Sequence, residues 1–109
     1  MGRAVSASQF HIELMSMLRI TENFENGKTV RLRLDGTVST VSLPNLEEVC
    51  SRHRGAGAKV ILLDLGGVVF MNDDVARKFV ALRTDRLRII NCSPFIETLL
   101  KTVERQNGE

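Results

Sequence analysis

The sequence predicts an α/β fold. The expected sheet is roughly four-stranded and mixed: an N-terminal antiparallel hairpin, then parallel strands, with helices packed on one face. Three observations carry this. Asn26-Gly27 is a turn signal between two strand-like stretches. The short apolar run Val60 to Leu65, flanked by glycines, reads as a strand buried on both faces. Helical stretches alternate with the later strands, which implies parallel strands joined by right-handed crossovers.

The elements follow in order. Residues 1–16 have no clear period and read as an N-terminal arm, with a short helix or an edge strand open around His11 and Ile12. Residues 17–109 read as a single domain. Met17 to Asn23 alternates apolar and polar, as a half-buried strand does. Thr29 to Leu34 puts Val30, Leu32 and Leu34 on one face and Arg31 and Arg33 on the other. Asp35-Gly36 is expected to end that strand, and Thr37 to Ser42 to form a hydroxyl-rich connector.

A helix is predicted from about Ser42, with Pro44 in its first turn, where a missing N–H costs little. Leu43, Leu46, Val49, Cys50 and His53 share its inner face, and Gly55 and Gly57 end it. The central strand is expected over Lys59 to about Leu65, broken by Gly66-Gly67. The next helix starts at Asn72 or Asp73 and buries Ala76, Phe79 and Val80, with Arg77 and Lys78 facing solvent. Leu87 to Ile90 reads as the last strand. Ser93-Pro94 is a cap followed by a first helical residue, and Ile96, Leu99, Leu100 and Val103 make the last apolar stripe.

Composition narrows the function. The chain has 109 residues, enough for one modest core. Its formal charge is +2, it has no Lys/Arg cluster, and its five aromatics are all Phe. A nucleic-acid stacking platform needs exposed aromatics on a basic face, so nucleic acid is not an expected partner. No apolar run reaches the ~18–20 residues that cross a bilayer, and the N-terminus has no secretory apolar core. A cytoplasmic location without membrane insertion is expected.

Metal and cofactor sites are not expected either. Cys50 and Cys92 form no CxxC pair, and His11 and His53 are isolated. Both cysteines read as small buried hydrophobes, with Cys92, just before a helix start, the more reactive. His53 reads as a helix-end residue with a satisfied hydrogen bond. There is no G-x-S-x-G elbow, and two scattered histidines make no triad. A magnesium and phosphoacceptor site from Asp64, Asp73 and Asp74 lacks a paired early acidic cluster; Asp64, inside a buried run, is expected to accept backbone hydrogen bonds.

Three segments carry a resemblance: Val30-Arg-Leu-Arg-Leu-Asp-Gly-Thr-Val, Leu43-Pro-Asn-Leu-Glu-Glu-Val, and Val60-Ile-Leu-Leu-Asp-Leu-Gly-Gly-Val-Val-Phe. Together with Leu87 to Leu100 they resemble the STAS domain, from about Met17 to Val103. That fold is shared by bacterial anti-sigma factor antagonists and the cytoplasmic tails of sulfate transporters. The resemblance implies a STAS-like domain that works by protein–protein contact in a partner-switching system of transcription regulation, without catalysis.

The family motif after the central strand reads Asp, Ser or Thr, Ser or Thr, Gly. Here the matching residues are Asn72, Asp73, Asp74 and Val75. Asp73 stands where switching antagonists carry the hydroxyl phosphorylated by the partner kinase, so phosphorylation at that position is not expected. The link between the second helix and the last strand is also shorter than is usual in the family. Three readings of the acidic pair stay open: it imitates a phosphorylated site, it complements a different partner, or it only caps the helix.

The partner surface implied by the resemblance comprises Asp35, Gly36, Thr37, Ser39, Asn72, Asp73, Asp74, Val75, Arg77 and Lys78. The implied partner is an anti-sigma factor of the serine-kinase type. Two other roles of this fold are the accessory subunit of an ABC-type lipid transport system, binding its ATPase, and an oligomeric stress-signalling scaffold. A homodimer is compatible with each.

Overall fold

The computed structural model describes residues 10–13 and 18–107. Strands β1 (Phe10–Glu13), β2 (Leu18–Phe24), β3 (Thr29–Val38), β4 (Val60–Met71) and β5 (Leu87–Ile90) form one sheet in sequential order. The pairs β1·β2 and β2·β3 are antiparallel, and β3·β4 and β4·β5 are parallel. Helices α1 (Leu43–Gly55), α2 (Asp73–Leu82) and α3 (Pro94–Asn107) make the connections and the C-terminal cover.

The alternation seen in the sequence decides which face of the sheet is covered. Leu18 and Ile20 of β2, Val30, Leu32 and Leu34 of β3, and Ile61, Leu63 and Leu65 of β4 are buried together. They meet Leu46, Val49 and Cys50 of α1, Val75, Ala76 and Phe79 of α2, and Ile96, Leu100 and Val103 of α3. Fully burying one such side chain contributes about 1.5–3 kcal/mol, so this layer dominates the fold. Arg31 and Arg33 point to the other face.

The sheet has one strand more than the four expected. Phe10–Glu13, inside the stretch read as an arm, pairs with β2 from Phe10↔Thr21 to Glu13↔Leu18. Without it, β2 would be a bare edge with a row of unpaired backbone groups. The Asn26-Gly27 hairpin forms as read: the Asn26 Oδ1 accepts hydrogen bonds from the Lys28 N–H at 2.7 Å and the Thr29 N–H at 3.0 Å.

Two expected breaks are instead continuous strand. β3 runs through Asp35-Gly36 to Val38, and β4 through Gly66-Gly67 to Met71. The ladder absorbs these residues by two shifts of register. From Arg33↔Asp64 to Asp35↔Gly67, and again from Gly36↔Val68 to Thr37↔Phe70, β4 advances one residue more than β3. Each shift is a bulge in β4. Gly36 takes a φ of 111°, which favours glycine. A Cβ on Gly67 would lie 2.9 Å from the Leu34 carbonyl oxygen and against the Asp35 carboxylate, so this crossing requires a bare backbone.

Two side chains differ from expectation. Ser42 precedes α1, but its side chain makes no cap bond to the helix. Its hydroxyl accepts from the Ser39 N–H at 3.0 Å and donates to the Ser39 carbonyl at 2.9 Å, closing the turn instead. His53 is buried, yet its Nε2 has no hydrogen-bond partner among the described residues. The Glu22 carboxylate lies 3.5 Å from it, and Phe24 meets the ring edge-on at 5.5 Å. Glu22 is instead bonded by Arg52 at 3.0 Å.

Candidate partner-binding face

The second bulge creates the exposed surface. Strict alternation would bury one of two successive residues. With Val69 as the extra residue, Val68 and Met71 are both buried while Val69 and Phe70 are 70% and 50% exposed. Phe70 stacks on Phe95 of the first turn of α3, ring centroids 6.2 Å apart and planes 16° apart. Phe95 is itself 51% exposed, because it falls off the apolar stripe of its helix.

Asn72 then caps α2. Its backbone is extended, and its Oδ1 accepts from the Val75 N–H at 2.9 Å. The cap is therefore Asn72, and Asp73 and Asp74 occupy the first turn, where a carboxylate is favoured by the helix dipole. Both acids are exposed. Asp74 forms an ion pair with Arg77 at 2.9 Å, one turn on. Phe70, Met71, Asn72, Asp73, Asp74, Phe95 and Leu99 line an open groove of about 440 Å³. A second hollow, of about 210 Å³, lies between α1 and α2 and brings Thr40, Pro44 and Glu47 beside Asp74 and Lys78.

The structure thus gathers part of the sequence-predicted surface. Asn72, Asp73 and Asp74 line one groove; Asp74 and Lys78 share the second with Thr40 of the connector. Thr37 pairs with Phe70 in the ladder, and the Ser39 backbone is held by Ser42. Val75 departs from expectation: it is fully buried, so its side chain belongs to the core. Asp35 and Gly36 are ladder residues, and the Asp35 carboxylate is 3.3 Å from the Arg33 Nε on the other face of the sheet.

Val69, Phe70 and Phe95 were not among the predicted site residues. Two signals for them exist in the chain: four apolar residues in succession, Val68 to Met71, exceed what one sheet face can bury, and Phe95 lies off the helical stripe.

Asp64 sits on the helix-free face of the sheet and is only 1% exposed. As the sequence suggested, it accepts a backbone hydrogen bond, from the Gly66 N–H at 2.9 Å. Arg31 Nη1 donates to it at 3.3 Å. Burial pushes its carboxyl pKa up, but the Gly66 N–H, the Asn91 side chain, Arg31 and the Arg33 charge together outweigh burial and hold it below the usual carboxylate range. Asn91 follows β5 with a φ of 60°. β5 pairs with β4 only from Ile61 to Asp64, so beyond Asp64 the outer edge of β4 has no strand neighbour among the described residues.

The cysteines differ in setting. Cys50 is buried, and burial pushes its thiol up to about 11. Cys92 is half-buried; burial first and then the Glu97 charge push it up, with Arg83 opposing, so the helix start does not activate it. Among the described residues, no group of three or more His, Cys, Asp or Glu side chains is placed to hold a metal ion. Among them, too, no helix is long and apolar enough to cross a membrane. The face offers phenyl rings, carboxylates and an ammonium.

No protein-family model matches the chain, and no curated protein matches it. By structure it is an α/β domain of the STAS-like fold. The solved structure of the anti-sigma factor antagonist SpoIIAA in its unphosphorylated form is similar, with a TM-score of 0.56 at 16% identity. The match covers 83% of this chain and 97% of that one. At this identity the likeness shows the fold.

Proposed function

We propose that this chain is a non-enzymatic interaction module of a partner-switching system, and that its partner is an anti-sigma factor of the serine-kinase type. The observation that carries the reading is the exposed Phe70–Phe95 stack beside Asp73 and Asp74 at the start of α2. A small monomeric domain seldom exposes stacked aromatic rings without a use for them. The STAS-like fold and the likeness to an anti-sigma factor antagonist support the class of partner. Asp73 has no hydroxyl, so the switch is not thrown by phosphate at that position.

The test is calorimetric titration of the full chain against each purified serine-kinase anti-sigma factor encoded in the same genome. Micromolar or tighter binding that Phe70→Ala and Phe95→Ala weaken is the expected result. Absence of binding to every kinase overturns the reading, and binding to a transport ATPase instead moves the chain to the transporter-accessory role. Incubation with kinase and ATP followed by intact-mass analysis is expected to add no phosphate. A phosphate on Ser39, Thr40 or Ser42 would refute the unphosphorylated state.

A further inference from the structure

We infer that the occupant of the groove is a partner surface carrying an aliphatic side chain for the Phe70–Phe95 wall and an Arg or Lys opposite Asp73. This rests on the interaction-module reading and specifies the chemistry of the partner.

The argument starts from the unequal state of the two acids. Asp74 is already engaged by Arg77 at 2.9 Å. Asp73 takes part in none of the ion pairs among the described residues, and water solvates it in the free chain. It lines the same groove as Phe70, Met71, Phe95 and Leu99. An occupant that covers those apolar side chains removes water from the Asp73 carboxylate as well. A buried unpaired charge is strongly unfavourable, so a purely apolar occupant is rejected. An acidic occupant is rejected by like charge. A cation compensates the carboxylate.

The helix start supplies only part of that compensation, through its dipole. The Val75 N–H is taken by the Asn72 side chain. Asp73 is therefore a determinant of which partner fits, and Phe70 and Phe95 supply the contact area.

The experiment uses the full chain and the kinase found in the titration above, at 50 and 300 mM NaCl. A contact that pairs charges is screened by salt. Wild-type affinity is expected to fall about fivefold across that range, the charge being exposed in the free chain and partly covered in the complex. Asp73→Asn is expected to lose about as much affinity at low salt and to flatten the salt dependence. Phe95→Ala is expected to weaken binding about tenfold while keeping the salt dependence. Asp73→Lys is expected to abolish binding, and reversing the opposing cation of the kinase to Glu to restore it. Both residues are exposed and neither is the helix cap, so thermal melts of the free variants should fall only by the small share that a first-turn carboxylate takes from the helix dipole, too little to unfold the chain at the titration temperature.

Kinase binding with Asp73→Asn at wild-type affinity and salt dependence overturns the inference and leaves the interaction reading standing. No kinase binding at all overturns both. A wild-type chain that sediments as a dimer, dissociated by Phe95→Ala, assigns the groove to a second copy and also overturns the inference.

Discussion

Replacing Asp64 with Asn tests how the helix-free face of the sheet is held. The carboxylate accepts from the Gly66 N–H at 2.9 Å, from Arg31 at 3.3 Å, and from the Asn91 side chain. An amide keeps one acceptor oxygen and turns an NH2 group toward donors that need an acceptor. Hydrogen bonds to a charged group contribute about 1.5–3 kcal/mol. Arg31 is 35% exposed and keeps Glu25 at 2.9 Å, so its own charge stays partly solvated and paired. The cost of Asp64→Asn is therefore about 1.5–3 kcal/mol rather than that of a fully buried broken pair. At roughly 4–8 °C per kcal/mol, Tm falls by about 6–24 °C.

The pH dependence carries the sharper test. The folded pKa of Asp64 lies below its unfolded value of about 3.9, so the native chain binds fewer protons. That stabilisation is fully present above the unfolded pKa and is lost as pH falls through the folded one. Urea unfolding followed by circular dichroism should show a wild-type-to-variant gap that is widest at neutral pH and closes toward the acid limb. A gap that is the same at both ends, or below about 0.5 kcal/mol at pH 7, the scatter of an ordinary surface substitution, refutes the reasoning.

Gly67→Ala should destabilise by about 1–3 kcal/mol, because the Leu34 carbonyl lies 2.9 Å from the new Cβ; adding Asp35→Ala should restore only part, and full restoration in urea melts would place the clash on the carboxylate alone. Asn72→Ala should cost about 1 kcal/mol through the lost 2.9 Å cap bond to Val75, and Asp73→Ala and Asp74→Ala less each. Equal losses in thermal melts would assign the cap to the acids. With a thiol-specific chromogenic reagent at pH 8, native Cys92 should react slowly and Cys50 only on unfolding, since burial holds the Cys50 thiol near about 11. Cys50 reacting first would overturn that order.

The covered face of the sheet was legible from local pattern. Val30, Leu32 and Leu34 alternate with Arg31 and Arg33 as a one-sided strand requires, and Ser93-Pro94 starts α3 as read, with the Ile96 N–H donating to the Ser93 Oγ at 3.3 Å. What escaped depends on partners distant in sequence. Gly66-Gly67 carries the local signature of a break; that it is a strand follows from the ladder to Asp35 and Gly36. β1 is four residues long and is defined by β2 rather than by a period of its own. At the candidate site, Asn72, Asp73 and Asp74 stood out as a helix start, whereas Phe70 read as one more core residue until the bulge turned it outward. The isolated His53 gave no hint that its carboxylate neighbour would be claimed by Arg52.

The two bulges of β4 have an effect on solubility as well as on shape. β5 covers β4 only as far as Asp64, which leaves the stretch leading to Met71, with two exposed apolar residues, without a strand beside it among the described residues. A straight margin of that kind is a template on which extended chains stack. Each extra residue in β4 puts its outward N–H and C=O groups out of step with the even spacing that another strand would offer. The same irregularity that turns Phe70 outward therefore also makes the margin a poor seed for aggregation, and deleting Val69 would remove the second bulge and with it both the outward turn of Phe70 and that part of the protection.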